Sequence, residues 1–331
     1  MELREIVEAL LANPLVQDKL LIERAYAHSG ASTFVDPANL MLTDTEKFEI
    51  RNGDDCAAIP NGDGSYTLFA AEGLIQNFVR NSPWFAGYSA IMVNISDICS
   101  MGGLPVAVTN VLWSKDKDAS EEIWNGMVRA SNDYGVPIVG GHTCYGNDLN
   151  LAVSIIGKAK KLLTSFDAKE GDKLLMAIDL NGAYFEHYPF WNASTTSSPE
   201  KLQRNMRFMH EIAEAGLSCT AKDISMGGIV GTLGMLLRTS EKGAVVDLDQ
   251  IPIPENIDLL KWLVSFPSFG YLLTATENNV DAIIEKFRSG GITCAVIGEI
   301  NDSKKIALAK NKEIEILTKN YAGNLSESTA S

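Results

Sequence analysis

Hydrophobic positions recur at helical spacing over residues 2–11, where Leu3, Ile6, Val7, Leu10 and Leu11 share a side, and Asn13-Pro14 stops the run. A second helix is predicted over Val16–Ala27, then loop to about Glu46. Short β-type runs follow at Phe48–Ile50, Ala57–Ile59 and Tyr66–Ala71. Pro83 suits the first turn of a helix that runs to Ser100 and ends at Gly102-Gly103. Another helix is read over Ser120–Tyr134, closed by Gly135, before strands at Val136–Val139 and Leu149–Ile156. After Lys158 the alternation restarts. Strands are predicted at Lys173–Asp179, Ala244–Leu248, Tyr271–Ala275 and Thr293–Ile297. Between them come helices at Ser198–Gly216, Gly228–Thr239, Ile257–Val264 and Asn279–Ser289. The expected architecture is α/β (α+β) in two halves, residues 1–160 and 161–321, with a small, polar, disordered tail at 322–331.

Composition narrows the classes. With 46% hydrophobic and 21% charged residues over 331 positions, the chain has material for ordinary cores, which excludes a disordered or fibrous protein. No apolar run approaches the roughly 20 residues of a membrane span, and Met1-Glu2-Leu3-Arg4-Glu5 lacks signal-peptide order, so the expectation is a cytoplasmic protein away from membranes. The net charge of −14 repels phosphate backbones and argues against nucleic acid. A nucleotide ligand would need metal ions to screen its phosphates. The five cysteines are scattered, never in a CxxC pair, and read as reduced thiols.

Three segments can carry chemistry. Asn52-Gly53-Asp54-Asp55 reads either as a simple turn or as a pair of carboxylates for a hard cation such as Mg²⁺. In the helix 84–100, Asn94 and Asp97 lie on one face of a mostly apolar run, either as an exposed stripe or as a buried acid that needs a partner. Gly140-Gly141-His142-Thr143 follows a strand, where glycines admit a ligand to the backbone; His142 is either a ligand-binding group or a structural one. No Walker loop, GxSxG elbow, HExxH or kinase HRD/DFG pair occurs.

Taken in order, Gly53-Asp54-Asp55-Cys56-Ala57-Ala58, Ala71-Glu72-Gly73-Leu74, Val93–Ile98 with Ser100–Pro105, and Gly140–Thr143 resemble the AIR synthase (PurM-like) superfamily. In the later half, Ala221–Ile229, Val246–Pro252, Phe269–Thr274 and Ile297–Ile300 agree. Relatives in that superfamily include thiamine-monophosphate kinase, selenophosphate synthetase and a hydrogenase-maturation enzyme. The nearest likeness is to uncharacterised AIR-synthase-related proteins that include a methanogenesis-marker group.

The resemblance implies a PurM-like two-domain fold, an N-terminal sheet domain that forms a homodimer, and ATP bound with Mg²⁺. Carried over residue by residue, it makes Asp54, Asp55, Glu72 and Asp97 the metal set. Asn94, Gly102, Gly103, Gly140, Gly141, His142 and Thr143 become nucleotide contacts, and Asp223 the catalytic acid. Three positions depart from family patterns: Glu72 replaces an Asp, His142 stands where many members carry an acid, and Met226 replaces an acid of thiamine-monophosphate kinases.

The expected function is ATP-dependent activation of a substrate oxygen by phosphoryl transfer, as a small-molecule kinase or a ligase/cyclase. The alternative is a nucleotide-binding sensor or scaffold subunit with no catalysis of its own. Residues 183–192, with five aromatics and a histidine but no periodicity, read as a loop in which Tyr184, His187 and Trp191 contact a ring-bearing substrate. On that reading Trp191→Ala leaves ATP binding intact and abolishes turnover.

Overall fold

The computed structural model describes residues 1–20, 32–35 and 48–318. The chain forms two units: one of Glu23–Leu163 with Asn192–Leu217, the other of Met1–Ile22, Thr164–Trp191 and Ser218–Ser331. Relative to an expected division at residue 160, residues 1–22 belong with the later half and 192–217 with the earlier one. The first case has a plain cause. Helices α1 (Leu3–Ala12) and α2 (Pro14–Leu20) lead the chain, and the apolar stripe Leu3, Ile6, Val7 and Leu10 is buried in a core with Leu174, Ile306 and Leu317. The tail at 322–331 lies outside the described residues.

In the first unit, β1 (Ser32–Val35) pairs antiparallel with β2 (Phe48–Arg51), so part of the expected loop before residue 46 is a strand. Next come β3 (Ala57–Pro60), β4 (Tyr66–Gly73), α3 (Gln76–Asn81), α4 (Pro83–Ser100), β5 (Leu104–Ser114), α5 (Lys117–Tyr134), β6 (Ile138–Tyr145) and β7 (Asn150–Ala159). The five strands β3 to β7 form one sheet in the order β3-β4-β7-β5-β6, with only β5 and β6 parallel. Strand β5 went unread in the sequence, and β7 alternates as an antiparallel strand should: Leu151, Val153 and Ile155 point inward and are buried.

Helix α4 covers that inner face, where Ile98 packs against Gly157 of β7. It touches α5 almost backbone to backbone: a Cβ on Gly87 would lie 2.1 Å from Ile123 O, and one on Gly126 would lie 1.9 Å from Trp84 O. The helix read as continuous from 198 to 216 is two, α6 (Pro199–Asn205) and α7 (Phe208–Glu214). A tighter i→i−3 bond, Arg207 N to Arg204 O (3.1 Å), interrupts the α-helical ladder between them.

The second unit continues with β8 (Lys173–Ile178), β9 (Ala183–Tyr184), β10 (Phe190–Asn192), β11 (Thr220–Asp223), α8 (Gly228–Thr239), β12 (Gly243–Asp247), α9 (Leu259–Leu263), β13 (Phe266–Pro267), β14 (Gly270–Ala275), α10 (Glu277–Arg288), β15 (Thr293–Asn301), β16 (Ile306–Lys310) and β17 (Glu313–Thr318). Seven strands form a mixed sheet ordered β11-β14-β8-β15-β12-β16-β17. Leu174 to Ile178 of the central β8 are all buried, which is why its sequence is an unbroken apolar run. The aromatic segment expected as a loop contributes β9 and β10 to a three-stranded sheet, β13-β10-β9.

Candidate functional site

Within the first unit the acids converge from two directions. The turn before β3 bends at Gly53, whose φ of 112° favours glycine, and Asp55 N donates to Asp54 Oδ1 (3.0 Å). From α4 come Asn94, Asp97 and Ser100, which are buried at 0%, 7% and 0% exposure. Ser100 Oγ lies 2.7 Å from Asp55 Oδ2 and 2.8 Å from Asp97 O, so one hydroxyl ties the turn to the helix. A carboxylate oxygen of Asp55 and one of Asp97 lie within 4.8 Å of each other. Two unit charges about 5 Å apart repel by about 3 kcal/mol at an effective dielectric of 20, and a shared hard cation reverses that sign. The all-oxygen donor set fits Mg²⁺.

Asn94 lies one turn before Asp97 on α4. Its Nδ2 donates to Ala90 O (2.8 Å), while its buried Oδ1 has no hydrogen-bond partner among the described residues. Such an acceptor is costly unless a donor reaches it. The Gly102-Gly103 turn that closes α4 is tightly held. Gly102 has φ 75°, Gly103 N donates to Ile98 O (3.0 Å), and His210 Nδ1 of α7 lies 3.0 Å from Gly102 O.

The remaining predicted residues are placed as follows. Glu72 is exposed near the end of β4, opposite Val153. Gly140, Gly141 and His142 are exposed on β6, and Thr143 is half-buried. His142 pairs opposite Val111, on the outer face that also carries Phe69, Trp113 and Ile156, whereas α4 covers the inner face. Gly141 lies against Asn110, whose Oδ1 would be 1.9 Å from a Cβ there, so only glycine fits.

In the second unit, Asp223 ends β11 and is buried at 4% exposure. Tyr184 is half-buried, with its hydroxyl 2.6 Å from Ser265 Oγ and Lys261 Nζ 3.6 Å from its ring centroid. His187 is exposed. Trp191 is a core residue: 4% exposed, edge-on to Tyr184 and Trp262, its indole N–H donated to Asp179 O (3.0 Å). The expectation that its ring forms a wall of the substrate site is corrected by that packing. Sequence reasoning quoted Ser100 within a motif but gave it no role, since its contact with Asp55 spans 45 positions.

Residues 53–159 match the family model described as AIR synthase related protein, N-terminal domain, and residues 169–311 match the corresponding C-terminal domain. The chain therefore belongs to the AIR synthase related family, and its mixed α/β architecture is the PurM-like two-domain fold. A relative in Synechocystis sp., an uncharacterised protein, is 43% identical over 81% of this chain and 83% of its own length. The thiamine-monophosphate kinase of Pyrococcus horikoshii is 26% identical over 80% of this chain and 88% of its own length. Among solved structures, Thermotoga maritima PurL complexed with ATP aligns with a TM-score of 0.68 at 18% identity, covering 85% of this chain and 48% of that one. The chain thus spans about half of PurL, and that likeness concerns the fold.

Proposed function

We propose that this protein binds ATP together with Mg²⁺ at Asp55 and Asp97 and transfers the terminal phosphoryl group to an oxygen of a small-molecule substrate, as a kinase or as a ligase or cyclase. The observation that carries the reading is the pair of carboxylates within 4.8 Å, with the Ser100 hydroxyl holding the Asp55 carboxylate against the helix that carries Asp97. The kinase among the relatives and the ATP in the PurL structure support it. Mg²⁺ held there would neutralise charge on the phosphate oxygens. Asp55 and Asp97 supply fixed negative charge, Ser100 sets the distance between turn and helix, and Asn94 Oδ1 offers a buried acceptor to the nucleotide. Asp54 and Glu72 complete the proposed metal set, and Asp223 is the proposed catalytic carboxylate.

The test is calorimetry of ATP with and without Mg²⁺. Binding is expected to depend on the metal and to fall at least tenfold, about 1.4 kcal/mol, in Asp97→Asn and Asp55→Asn. Comparable binding without Mg²⁺, with no loss in either variant, would overturn the assignment. Asp223→Asn is expected to stop turnover while ATP binding persists.

A homodimer in the cytoplasm is part of the proposal. The outer face of the five-stranded sheet leaves Phe69 46%, Ile156 42% and Trp113 38% exposed, an apolar surface suited to a second copy. Among the described residues, no helix is long and apolar enough to cross a membrane. Light scattering should give a dimer mass that Trp113→Asp halves; a monomeric wild type would sink the dimer. A second reading, a nucleotide-binding subunit without catalysis, is favoured by the position of His142 on the face away from α4. Metal-dependent ATP binding without ATP turnover across candidate acceptors would support that reading.

A further inference from the structure

Helix α4 closes in a Schellman turn. Gly102, at φ 75°, donates its N–H to Cys99 O (2.9 Å), and Gly103 N donates to Ile98 O (3.0 Å), so the turn satisfies its own donors. Its carbonyls are not served that way, and Met101, Gly102 and Gly103 are all buried. A buried carbonyl is costly unless a donor from elsewhere reaches it. Met101 O takes the backbone N–H of Leu163 (3.2 Å). Gly102 O takes a side chain, Nδ1 of His210 on α7, at 3.0 Å. Ala213, one turn further along α7, closes on the same residue, since a Cβ on Gly102 would lie 2.8 Å from Ala213 Cβ. Phe208, Met209, Ile212 and Ala213 are buried, which seats α7, and His210 is half-buried beside them.

The place of the ring proton follows. A carbonyl oxygen only accepts, so Nδ1 carries a hydrogen, and in the neutral ring Nε2 is left as the acceptor. Two residues before Gly102, Ser100 Oγ reaches Asp55 Oδ2 (2.7 Å), and Asp97 lies one turn earlier on α4. We infer that His210 is a positioning residue for the carboxylate site: its Nδ1–H fixes Gly102 O, and through it the end of α4 from which Asp97 and Ser100 face Asp55. The inference rests on the phosphoryl-transfer reading only in naming ATP and Mg²⁺ as what that site holds.

An asparagine side chain can place an N–H close to where histidine has Nδ1, and leucine has nearly the same outline without a donor. His210→Asn is therefore compared with His210→Leu in the full chain. Hydrogen exchange of the Gly102 and Gly103 amides, read by NMR without ligand, should speed up about fivefold in His210→Leu and stay within about twofold of wild type in His210→Asn. Amides of α5 should keep their wild-type exchange in both variants. Nitrogen-15 NMR of the neutral wild-type imidazoles should show the His210 ring protonated on Nδ1, its signal identified by its absence from His210→Asn. Mg²⁺-dependent ATP affinity should follow the same order, about fivefold weaker in His210→Leu and near wild type in His210→Asn. If His210→Leu fails to fold, His210→Gln, whose amide reaches past the Nδ1 position, replaces it. Equal behaviour of His210→Asn and His210→Leu, a ring protonated on Nε2, or a loss of protection as large in α5 as in the turn would overturn the role. A wild type that binds no ATP refutes the phosphoryl-transfer reading alone, because exchange and ring protonation are read on the free protein.

Discussion

Alanine at Gly126 would place a methyl group against the backbone of α4. The added Cβ would lie 1.9 Å from Trp84 O and 2.8 Å from Tyr88 N. Both are main-chain atoms inside a helix, so neither can rotate away, and the two helices must part by roughly 1.5 Å to restore ordinary contact. Overpacking of this kind costs about 1–3 kcal/mol, partly offset by about 1 kcal/mol because alanine is the better helix former. In domains of this size 1 kcal/mol moves the melting temperature by about 2–4 °C, so a fall of about 4–8 °C is expected at the upper end of that clash, where the net cost is about 2 kcal/mol. Gly146→Ala is the control, because a Cβ there meets nothing within 4 Å. Gly87→Ala opens the same gap from the other side, 2.1 Å from Ile123 O, so the double variant should lose less than the two singles added together. Urea unfolding and calorimetry read the stability. Since α4 also carries Asp97 and Ser100, the proposed Mg²⁺-dependent ATP binding should weaken in parallel. A Gly126→Ala protein as stable as wild type would refute the close approach of α4 and α5.

Two further outcomes follow from burial. Trp191→Ala should cost about 3–5 kcal/mol and lower the melting temperature markedly, because it removes a core ring and leaves Asp179 O without its indole donor; a variant of wild-type stability would place Trp191 outside the core. Burial also pushes the Cys294 thiol from 9.0 up to about 12. Between those values the folded state holds a proton that the unfolded chain has lost, so stability should fall as pH rises from 9 to 12, by up to about 1.4 kcal/mol per pH unit. Urea midpoints compared between pH 9 and 10 should show that slope in wild type and lose it in Cys294→Ala. Equal slopes would contradict the burial.

Much of the architecture could be read along the chain, and the failures share a cause. Helix α4 was legible because Pro83 begins it and a glycine pair ends it, both local signals. Strands β16 and β17 were not foreseen, since each alternates too briefly to stand out before its neighbours in the sheet are known. Strand β5 was absorbed into the motif around Leu104-Pro105, and the break at Met206-Arg207 has neither proline nor glycine to mark it. At the candidate site, Asp97 was visible as an acid within a mostly apolar helix, and Asp55 through the motif that carries the family resemblance. The bridge through Ser100 was not, because it joins positions 45 residues apart. Trp191 misled for the opposite reason. Aromatic content marks cores and binding walls alike, and only tertiary packing on Trp262 separates them.

The burial of α1 among late strands has a consequence for synthesis. Leu3, Ile6 and Leu10 share their core with Ile306, Leu308 and Leu317, about 300 residues downstream. A ribosome adding about 5–20 residues per second needs roughly 15–60 s to make that stretch, far longer than a helix takes to form. During that interval the stripe lacks the late strands it packs on, and a ten-residue helix by itself is marginal in water. The earlier unit has every strand of its five-stranded sheet by residue 159, whereas the later one can close over α1 only after β16 and β17 have left the tunnel. A nascent chain stalled before residue 306 would therefore present this apolar stripe to chaperones, and full-length chains would release it.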